Sequence, residues 1–175
     1  MPATTGSAVL TLPSDTEILM VREFDAPRDL VFKAYTTPEL VRRWWAGKRG
    51  NVTIAEIDLR VGGQWRYVMV ADGGYEVAFH GEYHEIVPNE KLVNTEIFEG
   101  APEAGAALVT CTFEDLGERS GDERSARGSG RTRLHMLTSV DTKEVRDMII
   151  GTGMESGAQE GLDILEQIAI ELDAA

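Results

Sequence analysis

The sequence predicts an α+β domain in which a first strand, two short helices and further strands of an antiparallel sheet, about six or seven strands in all, precede a long C-terminal helix whose apolar face lies on that sheet. Three observations predict it. Near the start, a strand-like run is followed at once by two helix-start signals; in the middle, apolar residues alternate with a period of two between turn signals; in the last third, they recur at helical spacing.

Taken in order, "ILMVREF" (18–24) is short, apolar and ended by "DAPRD", which makes it the first strand. Pro27 suits a first helical position, and Leu30, Val31, Ala34 and Tyr35 follow at helical spacing. Thr37 and Pro38 repeat the start signal, so a second short helix carries Leu40, Val41 and Trp44 until Gly47 and Gly50 end it. The period then drops to two. Val52 and Ile54 alternate in one phase, Ile57, Leu59 and Val61 in the other, which predicts a bulge near Ala55 and Glu56. Gly62 and Gly63 turn the chain into "QWRYVMV", with Trp65, Tyr67 and Met69 on one face.

"ADGG" (71–74) signals a hairpin into a strand with Tyr75, Val77, Phe79, Gly81 and Tyr83 on one side, and "PNEK" turns into "LVNTEIF". "LVTCTFEDL" and "RTRLHMLTSV" complete the sheet, separated by residues 117–130, whose glycine, serine and charge predict an exposed mobile hairpin loop. Asp141 with Glu144, and Thr152 with Glu155, have capping-box spacing and predict a short helix and then a long one. On the long helix Met154, Ala158, Leu162, Leu165, Ala169 and Leu172 form the apolar stripe. Gly153, Gly157 and Gly161 recur every fourth residue, which suits either a close-packed backbone or a roomy cavity wall.

Residues 1–17 read as a flexible N-terminal extension and 18–175 as one domain, a size that supports a core without staples. Cys111 is the single cysteine, which rules out an intrachain disulfide and fits a reducing cytoplasm. No apolar run reaches the roughly 18 residues a bilayer span needs, so no membrane insertion is expected. With 30 acidic against 17 basic residues, the net charge of -13 repels nucleic-acid backbones. The local exception is Arg42, Arg43, Lys48 and Arg49 around Trp44 and Trp45, which is either a solvated helix end or a surface for an anionic ligand or acidic partner.

Four stretches in this order, "REFDAPRDLVFKAYTTPELVRRWW", "DLRVGGQWRYVM", "FHGEYHEIVPNEKLV" and "GMESGAQEGLDILEQIA", resemble the homologues of the activator of the ninety-kilodalton heat shock protein's ATPase. That family lies within the START-like superfamily, also called SRPBCC, whose helix-grip fold is that of the birch-pollen-allergen-like proteins. The resemblance implies a cavity between sheet and long helix that in many relatives holds an apolar or amphipathic molecule. It does not imply one activity, since the superfamily includes lipid carriers, polyketide cyclases, aromatases and chaperone regulators.

The expected ligand residues are Trp45, Trp65, Tyr67, Met69, Phe79, Phe98, Phe113, Met136, Met154 and Gly157, for which core packing is the competing reading. Trp44 is expected to anchor the second helix against the sheet, and Trp45, about 100° further round, to reach the pocket mouth or a partner. An enzymatic alternative, cyclase-, aromatase- or hydrolase-like, would use His80, Glu82 and Arg66 as polar cavity residues. His80 and His84 are ~13 Å apart along one strand, so a shared metal is not expected, nor is any cofactor. Asp58, Arg60 and Arg66 read as surface ion-pairing groups. A third alternative is a chaperone-associated stress-response module acting through Arg42 to Arg49; a protein partner, or a homodimer through an edge strand or Trp45, is compatible with each reading.

Overall fold

Alternating apolar residues and two-residue turns form most of one sheet in the computed structural model, which describes residues 7–118 and 130–175. The strands are β1 (Val9–Thr11), β2 (Glu17–Phe24), β3 (Gly50–Ile57), β4 (Gln64–Ala71), β5 (Glu76–Val87), β6 (Lys91–Phe98), β7 (Ala107–Glu118) and β8 (Gly130–Ser139). The helices are α1 (Arg28–Thr36), α2 (Pro38–Trp44), α3 (Lys143–Gly151) and α4 (Met154–Ala174). The eight strands run in the order β1-β2-β8-β7-β6-β5-β4-β3, and every neighbouring pair is antiparallel.

Residues 1–17 are not all loose extension. Val9–Thr11 pairs with β2 through Val9 opposite Val21 and Thr11 opposite Leu19, adding an edge strand too short to show a periodicity. Residues 1–6 lie outside the described residues, as do 119–129, which make up most of the expected 117–130 loop. Gly117 and Gly130 themselves belong to strands. The bulge in β3 falls at Thr53, between Val52 and Ile54, earlier than Ala55 and Glu56. Leu59 and Val61 lie beyond the strand in the turn to β4 and are exposed, as is Tyr75, which precedes β5.

Helix starts follow local hydrogen bonding more than the expected spacing. Thr142, not Asp141, caps α3, its hydroxyl accepting from the Val145 N–H at 3.2 Å. The hydroxyls of Thr37 and Thr152 instead donate back to the Lys33 and Ile149 carbonyls, 2.6 Å in each case. Gly153 then begins α4 in the left-handed conformation, φ 79°, where a Cβ would be strained.

One core holds the layers together. Phe24, Val31, Val41, Trp44, Leu92, Phe113, Leu134, Leu162, Leu165 and Ile168 are buried in it, so the face of α4 predicted by its stripe lies over the concave face of the sheet. Gly161 is where α4 and α2 touch: a Cβ there would stand 2.8 Å from the Trp44 carbonyl oxygen. Close packing therefore accounts for that glycine, while Gly157 faces the Arg49 guanidinium. Among the described residues no helix is long and apolar enough to cross a membrane.

Candidate functional site

The concave face divides into a sealed end and an open end. At the sealed end Phe24, Leu134, Phe113 and Leu92 are all but inaccessible beneath Leu162, Leu165 and Ile168. At the other end Met69 and Phe79 on the sheet, and Met154 and Ala158 on the same stripe of α4, are only half-buried. Phe98 is 39% exposed. Burial of α4 thus stops near Gly161, and its first two turns do not seal the sheet below.

Four of the expected rings make one connected run at this open end. Trp45, just past α2, meets Tyr67 at 5.4 Å and Phe79 at 5.7 Å, both edge to face, and Phe79 lies 5.1 Å from Phe98. Trp65 extends the run inward, 4.8 Å from Tyr67. Such edge and offset contacts are the favoured geometry for aromatic rings. Their order follows from strand register, since Tyr67 is opposite Phe79 and Phe79 opposite Phe98. Trp44 anchors α2 to α1, where the expected partner is the sheet: its indole N–H donates to the Ala34 carbonyl at 2.9 Å and its ring stacks on Tyr35.

Other expected residues sit elsewhere. Phe113 is 1% exposed and wedged edge-on between Phe32 and Tyr35, which makes it filling, not wall. Gly157 faces Arg49. Met136 lies opposite Met20 and Cys111 on the concave face, half-buried against the core.

The polar trio proposed for catalysis does not enter the concavity. Arg66 and His80 are opposite each other in the ladder, on the face away from Trp65 and Tyr67. Both bind Glu99 there: Arg66 through two N–H groups at 2.9 and 3.0 Å, His80 through Nδ1 at 3.0 Å. The Arg66 hydrogen bond, with His80 behind it, holds the Glu99 carboxyl down at about 2. Glu82 is exposed. His135 contacts Glu114 at 3.1 Å on the same outer side. Asp58 and Arg60 pair with each other at 2.8 Å in a turn. The basic cluster around the tryptophans is also engaged: Arg43 with Glu171, Arg49 with Glu160 and Arg42 with the Thr53 carbonyl.

The polar groups that do face inward were not singled out from the sequence. On β6 the phase that buries Leu92 also carries Asn94, Glu96 and Phe98. Asn94 is 8% exposed, whereas the Glu96 side chain is only partly covered. Burial pushes the Glu96 carboxyl up to about 7. Around it, burial also raises the Tyr35, Tyr67 and Tyr83 hydroxyls and lifts the Cys111 thiol to about 12. The Tyr35 hydroxyl lies 3.4 Å from Cys111 Sγ. The signal for Glu96 was present in "KLVNTEIF", where every second residue from Leu92 belongs to the buried phase.

Residues 25–169 match the family model described as activator of Hsp90 ATPase homolog 1-like protein. No curated protein sequence matches the chain. Among solved structures, a crystal structure from Rhodobacter sphaeroides is similar with a TM-score of 0.78 and 22% identity, covering 97% of this chain and all of the other. A crystal structure from Nitrosomonas europaea gives 0.76 and 21%, covering 94% of this chain and 100% of that one. A solution structure from Arthrobacter aurescens gives 0.77 and 22%, over 96% and 93% of the two chains. At these identities the likeness is one of fold.

Proposed function

The chain belongs to the family of activator of Hsp90 ATPase homolog 1-like proteins, a family of the START-like superfamily, and from that premise we propose that it binds a small apolar or amphipathic molecule between the concave sheet and α4, without covalent chemistry. One observation carries the reading: the apolar concave face is sealed beneath Leu162, Leu165 and Ile168, whereas Trp45, Phe79 and Phe98 stay part-exposed around the buried rings of Trp65 and Tyr67. Apolar surface left open inside a concavity is the ordinary starting point of a ligand site. A cytoplasmic location is part of the same proposal, resting on the single reduced cysteine.

Among the described residues no nucleophile paired with a base faces the concavity. The Cys111 thiol is held protonated by burial, and Arg66 and His80 are committed to Glu99 on the opposite face, which argues against the enzymatic alternative. The family match also supports a chaperone-associated role, for which an Arg42→Glu, Arg43→Glu variant should lose a captured chaperone; equal capture counts against it.

Thermal-shift and native mass-spectrometric screening with C8 to C12 alcohols tests the main reading. Binding should raise the melting temperature, give a one-to-one adduct and quench tryptophan emission, and Trp45→Ala should weaken it. Absence of any adduct or shift across the series, with wild-type protein folded, rejects it.

A further inference from the structure

Glu96 is an acid on the concave face to which the described residues supply no counter-charge. It stands on the concave face between two residues with little or no side chain. Ala107 is its partner on β7. On β5, Phe79 lies opposite Phe98 and Tyr83 opposite Asn94, so Gly81 falls level with Glu96. Gly81 is constrained from the other side as well: a Cβ there would stand 1.9 Å from the Thr95 carbonyl oxygen and 2.7 Å from the Trp65 indole nitrogen. Through that gap the Trp65 N–H reaches the Thr95 carbonyl at 3.2 Å. The ring of Trp65 is therefore the next wall beyond the carboxyl.

Among the described residues Glu96 makes no hydrogen bond and no ion pair, and burial alone accounts for its raised carboxyl. The titratable groups it influences are Tyr35 on α1, Tyr67 on β4 and Cys111 on β7, all neutral and raised by burial. Tyr35 and Cys111 are occupied with each other. The buried cation of the concave face, Arg22, is held at the sealed end by Asp163 and Glu166. Partly covered and without a partner among the described residues, the carboxyl is open to pairing with a cation that reaches it.

We propose that the molecule held in this concavity carries a protonated amine on an apolar body, and that Glu96 is the group that binds the amine. This rests on the ligand-binding reading above and specifies its chemistry. An anionic head would meet an unneutralised carboxyl inside a chain of net charge -13. A purely apolar molecule would cover the carboxyl without pairing it. An ammonium supplies the missing charge and at the same time lies among the rings of Trp65 and Tyr67, which attract cations through their faces.

The test compares octyl-, decyl- and dodecylamine with the matching alcohols, below their micelle concentrations, by calorimetry at pH 7 and at 0.15 M salt. Each amine should bind roughly tenfold or more tightly than its alcohol. Glu96→Gln, which keeps the shape of the side chain, should remove that preference while changing alcohol affinity by no more than about twofold. Calorimetry in two buffers of different ionisation enthalpy should show proton release with the amine on wild-type protein only, because pairing ionises a carboxyl that is partly protonated beforehand. Equal binding of amine and alcohol overturns the proposal and leaves ligand binding intact. A preference that survives in Glu96→Gln overturns it too, assigning the amine to surface acids. If neither series binds, this proposal falls together with the reading beneath it.

Discussion

Arg22 on β2 and Glu166 on α4 form a buried pair, Nη2 to Oε1 3.2 Å, with the arginine 1% exposed. The same carboxylate accepts from the Asp25 N–H at 3.1 Å, and Arg22 also pairs with Asp163 and lies over the Phe24 ring. The pair pins the long helix to the sheet at the sealed end. Removing the acid leaves a buried guanidinium with Asp163 alone, so Glu166→Ala should cost about 3–5 kcal/mol. Arg22→Met should cost less, about 1–3 kcal/mol, because Glu166 keeps the Asp25 N–H and part of its surface. Urea denaturation of both variants checks the order, and the reverse ranking contradicts this account.

Gly157 and Gly161 should respond to alanine with opposite signs. Each change gains about 1 kcal/mol of helix propensity. At Gly157 the new Cβ would meet the Arg49 guanidinium at 3.6 Å, an ordinary contact, so the gain survives. At Gly161 it would stand 2.8 Å from the Trp44 backbone oxygen, and overpacking of about 1–3 kcal/mol outweighs the gain. Melting temperatures should rise for the first and fall for the second.

Glu96 makes stability depend on pH in a defined direction. Burial raises its folded carboxyl from the ordinary carboxylate value to about 7, so between those values the folded state holds more protons than the unfolded one. Its contribution therefore falls as pH rises through that window and is lowest above it. The full shift corresponds to about 3 kcal/mol, which solvent at the half-covered side chain reduces to about 1–2. Relative to wild type, Glu96→Gln should gain that amount between pH 5 and pH 8. A difference that stays flat with pH shows that the carboxyl titrates normally.

Cys111 should be inert in the folded chain. It is 0% exposed, and its thiol is pushed up to about 12, chiefly by burial. The thiolate is the reactive form, so modification by a thiol reagent at pH 8 should follow global unfolding and accelerate with urea. Rapid labelling in native buffer would place the sulfur at the surface.

Periodicities of about 3.6 and 2 carried the order of elements, the face of α4 and the rings Trp45, Tyr67, Phe79 and Phe98, because each depends on local spacing. Depth was another matter. Phe113 shares the phase of Cys111 and Val109, and alternation marks a face without saying whether a helix seals it or leaves it open. Glu96 was legible in principle from the phase of Leu92, but an acid on a strand reads as solvent-facing by default. The Arg22–Glu166 pair joins residues 144 apart and has no local signature. Strand β1 has three residues, too few to alternate, and the capping residue of α3 was missed by one position because Asp141 and Thr142 both suit the role.

The pairing of β2 with β8 has a consequence for how the chain reaches this state. Every other strand pair joins immediate neighbours in sequence, whereas Glu17 meets Ser139 and Phe24 meets Thr132 across most of the polypeptide. Closing so long a loop is entropically the most demanding step of the sheet. During synthesis, the hairpins from β3 to β7 can zip as they emerge, but β2 waits without its inner neighbour until residue 139 has left the ribosome.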